Sequence, residues 1–135
     1  MMVTETKIRV RYGETDQMGV VYHGNYALYF EEARTDALRQ IDVSYKNMEE
    51  NGVMMPVVNL TMDYKRPAKY DDVLTIKTTL LKLPSVKILL SYEVFNESNE
   101  LLTTGSSTLV FVDMKTNKPT RCPEPLLLKF NRFFV

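Results

Sequence analysis

The chain reads as an α+β domain in which a five-stranded antiparallel sheet wraps one long central helix. Three observations predict it. Apolar and polar residues alternate over 6–12, apolar residues then recur every three or four positions over 25–41, and alternation returns in four runs between 57 and 112. Period two marks half-buried strands and period 3.6 marks a one-faced helix. A helix with one apolar stripe needs an apolar sheet face to cover, and the last three runs are joined too tightly for anything but antiparallel neighbours.

The first strand is expected over 6–12, with Ile8, Val10 and Tyr12 on one face and Lys7, Arg9 and Arg11 on the other, ended by Gly13. The helix over 25–41 carries Tyr26, Phe30, Ala33, Ala37 and Ile41 on one stripe, and its two alanines suggest close approach to a flat surface. A short helix over 44–50 has Ser44 as its cap and Gly52 as its stop. In 57–65, Val58, Leu60, Met62 and Tyr64 alternate with polar residues until Arg66-Pro67 breaks the run, because proline cannot donate to a ladder. Strands over 73–83, 86–96 and 101–112 follow, linked by Leu83-Pro84-Ser85 and Asn96-Glu97-Ser98-Asn99. These four strands are expected to form a meander, and the apolar tail over 125–133 a short covering helix. One sheet face and at least one edge remain to be covered, and oligomerisation is the natural way to cover them.

A length of 135 residues suits a single domain spanning 1–135. Seventeen basic and seventeen acidic side chains cancel, so no global field recruits nucleic acid or an acidic membrane surface. No apolar run is long enough to cross a bilayer, and the first residues lack the apolar core of a signal peptide, which together point to the cytoplasm. The single cysteine, Cys122, and the single histidine, His23, leave no metal-ligand cluster, so no metal and no separate cofactor are expected. There is no G-x-G-x-x-G, no P-loop and no G-x-S-x-G elbow.

Residues 14–26, ETDQMGVVYHGNY, place an acid, two glycines and the histidine just before the long helix. One reading is structural: Asp16 forms a turn, Gly19 a bend, Gly24 or Asn25 caps the helix, and His23 packs nearby. The other is chemical. A helix start presents unpaired N–H groups and partial positive charge that stabilise a developing oxyanion, while a carboxylate attacks the carbonyl or activates water. That combination suits thioester hydrolysis.

The run Tyr12-Gly13-Glu14-Thr15-Asp16, followed by Gly19-Val20-Val21-Tyr22-His23-Gly24-Asn25-Tyr26, resembles the 4-hydroxybenzoyl-CoA thioesterase-like family of hot-dog proteins. The likeness is nearest to its bacterial Tol-Pal-associated acyl-CoA thioesterase branch. Residues 63–72, DYKRPAKYDD, resemble the family segment that joins two strands. The resemblance implies a hot-dog fold, a homodimer with one ten-stranded sheet, often a homotetramer, and active sites at the dimer interface that take acyl-CoA. It implies that Asp16 is the catalytic carboxylate, that the backbone N–H of His23 or Gly24 polarises the thioester carbonyl, and that the His23 side chain orients substrate or water. Tyr22 and Asn25 would shape the pocket. Some relatives use a glutamate on the helix instead, where Glu31 and Glu32 stand here, off the apolar stripe. Lys65, Arg66 and Lys87, with Lys69 and Lys82, are candidates for the CoA phosphates. Two other functions fit the same fold, a hydratase or dehydratase acting on acyl thioesters and a non-catalytic acyl-CoA-binding protein.

Overall fold

A computed structural model describes residues 1–134. The chain runs β1 (Met2–Arg9), a 3-10 turn (Tyr12–Glu14), α1 (Asn25–Gln40), α2 (Tyr45–Glu50), β2 (Val53–Met54), β3 (Val57–Tyr64), β4 (Val73–Leu80), β5 (Lys87–Phe95), β6 (Leu101–Val110), β7 (Val112–Asp113), β8 (Lys118–Pro119) and α3 (Glu124–Asn131). Five strands form one antiparallel sheet in the order β1-β4-β5-β6-β3, and β2, β7 and β8 make a small second sheet. The α+β architecture of a five-stranded sheet around one helix is as the sequence predicts.

The stripe on α1 lies against the inner sheet face. Tyr26, Phe30, Ala33 and Ala37 are buried, Tyr29 and Leu38 join them, and Ile41 is buried just beyond the helix end. Phe30 stacks on Tyr92 of β5, with ring centroids 4.3 Å apart and planes 6° from parallel. The Tyr92 hydroxyl stays satisfied inside the core by Ser107 of β6 at 2.6 Å. Ser44 caps α2 by accepting the Asn47 N–H, and Gly52 (φ +90°) follows its end. Leu126 and Phe130 are the buried side of α3.

Three details depart from the sequence reading. The first strand begins at Met2 rather than residue 6, because β1 pairs along the full length of β4, from Met2 opposite Leu80 to Arg9 opposite Val73. Its alternation is in phase as expected, but Tyr12 falls in the 3-10 turn and is 78% exposed. That turn forms because the Glu14 carboxylate takes the Arg11 backbone N–H at 2.8 Å. Second, only β4, β5 and β6 form a meander; β3 pairs with β6 at the far edge. Third, β6 stops at Val110, and Val112–Asp113 turns away to pair with β2 and β8.

The β3 exchange of edges has a visible cause. Residues 65–72 cross the end of the sheet instead of making a hairpin. Lys65 and Arg66 donate their N–H groups to the Leu102 carbonyl, Ala68 accepts from Val21, and Asp71 and Asp72 bond Val10 beyond β1. This strap passes over the start of α1 and frames the site described below. Strand β3, left at the edge, is exposed along nearly its whole length on both faces, including Val58 and Leu60.

Close approach of α1, β3 and β6 centres on Gly105. A Cβ there would sit 2.5 Å from the Thr61 carbonyl oxygen and 2.6 Å from the Phe30 ring. Gly105→Ala is therefore expected to destabilise the chain by about 1–3 kcal/mol through overpacking. Gly13→Ala, where a Cβ meets nothing within 4 Å, should stay within about 0.5 kcal/mol of the parent. Urea unfolding of both variants checks this; equal midpoints would contradict the packing described.

Candidate active site

The loop between β1 and α1 folds back on itself. Thr15 bridges Val21, Val20 bridges Lys69 of the strap, Asp16 donates its N–H to the Val20 carbonyl at 2.8 Å, and Gly19 returns one to Asp16 at 3.0 Å. Gly19 holds φ +78°, a left-handed conformation that a side chain disfavours, so the expected bend is present. The Asp16 carboxylate accepts the Met18 N–H on Oδ1 at 2.8 Å, while Oδ2 makes no hydrogen bond among the described residues. Asp16 lines an open pocket of about 470 Å³ with His23, Tyr26, Tyr64, Lys65 and Arg66.

Backbone donors at the helix start divide into two sets. The Tyr22 N–H goes to the Glu14 carbonyl, that of Asn25 to Tyr22, and that of Tyr26 to His23. The N–H groups of His23 and Gly24 make no hydrogen bond among the described residues. Gly24 holds the cap position of α1, with no side-chain cap. The Tyr22 ring lies over it, so that an added Cβ would fall 2.7 Å from that ring. Two adjacent unpaired donors at a helix start can act as an anion-stabilising nest, to which a helix dipole adds.

The side chains around this nest are not what single-residue inspection suggests. The His23 ring is exposed, stands 4.3 Å from Tyr22 and 6.2 Å from Tyr64 between centroids, and makes no hydrogen bond among the described residues. Asn25, half-buried, donates Nδ2 to the Glu14 carbonyl at 2.8 Å. Lys65 and Arg66 stand on the pocket rim, ion-paired to Asp63 at 2.9 Å and to Glu100 at 2.7 Å. Lys87 is not brought into the pocket: it opens β5 opposite Val110, at the end of the sheet away from Tyr64. One length of β3 separates those ends, roughly 23 Å. Glu31 and Glu32 are exposed on α1, and Glu31 borders a separate apolar cavity of about 260 Å³ with Arg34 and Leu38. Cys122 is buried, and burial, helped by the charge of Glu124, pushes its thiol up to about 12.

Two residues at the site escaped the sequence reading. Tyr64 was expected only as a strand residue, yet it lines the pocket from the end of β3. Glu14, quoted only as part of a motif, ties the loop to the helix. Its Oε1 accepts the Arg11 N–H and the Tyr29 hydroxyl, its Oε2 accepts the Arg11 guanidinium, and its carbonyl takes Tyr22 and Asn25. No spacing rule links positions 11, 14 and 29, so only the fold could reveal the cluster.

The charge state of Glu14 follows from these partners. Burial raises its carboxyl, but the Arg11 backbone and side-chain bonds, the Tyr29 hydroxyl and the Arg11 charge outweigh burial and leave it below the usual value of 4.5. A depressed carboxyl contributes stability that is present above the unfolded value and is lost as pH falls through the folded one. Glu14→Gln should therefore cost about 1–2 kcal/mol at neutral pH, discounted for partial exposure of the site. The deficit should begin to shrink as pH falls below about 4.5, where the unfolded chain's carboxylate takes up its proton, and be lost at the lower pH where the folded parent's does the same. Thermal unfolding of parent and variant from pH 7 to pH 3 measures the gap, which a purely steric role for Glu14 would hold constant.

Comparison with known proteins places the chain in a family. The family model described as the thioesterase-like superfamily matches residues 10–130, which contain the loop, α1, the strap and every strand of the main sheet except β1. The acyl-CoA thioester hydrolase YbgC of Escherichia coli O6:H1 is 32% identical over 125 residues, covering 93% of each chain. Among solved structures, a DHNA-CoA thioesterase from Staphylococcus aureus is 40% identical with a TM-score of 0.85, covering 99% of this chain and 85% of its own. A second, protein TT1821 from Thermus thermophilus, is 37% identical with a TM-score of 0.89 over 95% of this chain and 97% of its own. Sequence and backbone agree over nearly the same span, and the chain belongs to the thioesterase-like superfamily and has its hot-dog fold.

Proposed function

We propose that this chain is an acyl-CoA thioesterase, hydrolysing an acyl-CoA to a carboxylic acid and free coenzyme A. The observation that carries the reading is that one open pocket is lined both by Asp16, a carboxylate with one unpaired oxygen, and by His23, whose N–H and that of the adjoining Gly24 are unpaired at the helix start. The chain's membership of a thioesterase superfamily supplies the reaction class.

In this reading the thioester carbonyl lies at the start of α1, with its oxygen facing the N–H groups of His23 and Gly24. Asp16 Oδ2 either takes a proton from an attacking water or attacks the carbonyl carbon itself. The carbonyl π pair moves to oxygen, and the nest holds that negative charge where it develops. Collapse of the tetrahedral adduct breaks the C–S bond and expels the coenzyme A thiolate, which needs little acid assistance. If Asp16 is the nucleophile, water then hydrolyses the mixed anhydride to return the carboxylate.

Other groups have supporting roles. The exposed His23 ring, between two tyrosines, orients substrate or water, and Tyr22 shapes the approach. Asn25 acts indirectly, by fixing the loop to Glu14. Lys65 and Arg66 sit in exposed ion pairs, which contribute little and can be exchanged for a phosphate. The reaction needs no cofactor beyond the coenzyme A of the substrate.

The bare edge of β3 supports a homodimer that continues the sheet from one copy to the next, and pairs of dimers give the homotetramer. No helix among the described residues is long and apolar enough to cross a membrane, and we place the enzyme in the cytoplasm.

A panel of aliphatic and aromatic acyl-CoAs with a thiol-reactive dye tests the activity. The parent should release thiol from at least one substrate class, and Asp16→Asn should lower kcat by about 100-fold or more. Unchanged turnover in the variant removes Asp16 from its role; no thiol release across the panel removes the thioesterase reading. Sedimentation equilibrium checks the assembly, with a mass of two or four chains expected and a monomer contradicting it.

A further inference from the structure

We infer that Tyr64 is a positioning residue that acts through the His23–Gly24 peptide. It rests on the assignment of that peptide's N–H to the oxyanion site. Tyr64 closes β3, and its ring packs against Tyr26 at 5.6 Å and His23 at 6.2 Å between centroids. Its hydroxyl lies 3.2 Å from the His23 carbonyl oxygen, which also accepts the Tyr26 N–H at 3.3 Å.

One peptide unit thus has two donors on its oxygen and an unpaired donor, the Gly24 N–H, at its other end. Donors on the oxygen draw electron density along the amide and increase its C–N double-bond character. The opposite N–H becomes a stronger donor, since hydrogen bonds in a chain polarise one another by roughly 10–30% per bond. The same contact also fixes the plane of the peptide, and with it the direction in which the N–H points. A tyrosine at the end of an edge strand therefore sets the strength and aim of a donor at the start of a helix 40 residues earlier in the chain.

A competing acceptor exists. Met62 Sδ stands 3.0 Å from the same hydroxyl, which has one proton to give. A thioether is a weak acceptor beside an amide oxygen, so the proton goes to His23.

Tyr64→Phe keeps the ring and its packing while removing the hydroxyl, and Met62→Leu removes the competing sulfur. In ¹⁵N–¹H spectra of the uniformly labelled protein without substrate, Tyr64→Phe should move the Gly24 amide proton upfield, and by more than it moves that of Gly19. Its kcat on the best acyl-CoA should fall by about 2–10-fold, the loss of one neutral hydrogen bond, with KM within about twofold. Met62→Leu should leave the Gly24 shift and kcat unchanged. An unmoved Gly24 amide in Tyr64→Phe, an unchanged kcat, or a Met62→Leu variant that reproduces either effect overturns the inference. If the parent releases no thiol from any acyl-CoA, the thioesterase reading fails, while the Gly24 amide still decides whether Tyr64 polarises the peptide.

Discussion

The packing of Phe30 between Tyr92 and the bare backbone at Gly105 is the constraint on which the rest of the structure depends. Phe30 is fully buried, and burial of such a side chain contributes about 1.5–3 kcal/mol. Its position matters more than that sum. Stacked on Tyr92 and set against a residue with no side chain, it fixes the height and rotation of α1 over the sheet. Ala33 and Ala37 on the same stripe let the helix lie close. Because the helix is rigid, setting its middle also sets its first turn, one and a half turns away from Phe30. The donors of His23 and Gly24 are therefore held by core packing, at no expense to the loop that carries the acid.

The loop is anchored from the other side by groups that have no place in the chemistry. Glu14 binds Arg11, Tyr29, Tyr22 and Asn25 through both its carboxylate and its carbonyl, so the loop's start, the helix start and the second turn of α1 move together. The strap of residues 65–72 adds a third attachment through Ala68 and Lys69. Asp16 sits between these ties with one oxygen committed to the loop and one free. In the proposed mechanism a carboxylate so held would need little reorganisation to act, which is the preorganisation that electrostatic catalysis requires.

Exposure of β3 is the feature a single chain leaves unresolved. An edge strand with apolar residues on it is a ready template for pairing, and this one shows none of the prolines or dense lysines that blunt such edges. It also ends at Tyr64, inside the candidate site. A partner pairing with that edge would therefore approach the pocket as well.

Local pattern alone determined the element types. The stripe on α1, the in-phase alternation of β1, the turns between β4, β5 and β6, and the cap of α2 are all legible because each depends on residues within a few positions of one another. The loop with Asp16, Gly19 and the helix start was legible for the same reason, helped by a motif that resembles a known family. What neighbouring residues could not reveal was long-range partnership. Strand β3 lies beside β6 rather than β4 because the strap finds hydrogen bonds at Leu102, Val21 and Val10, far apart in sequence. Glu14 and Tyr64 gain their roles from residues 15 and 41 positions away. Lys87, a plausible phosphate partner by charge, is carried to the far end of the sheet by its register with Val110. Secondary structure is set by what a residue's neighbours are, and a site by what the fold brings beside it.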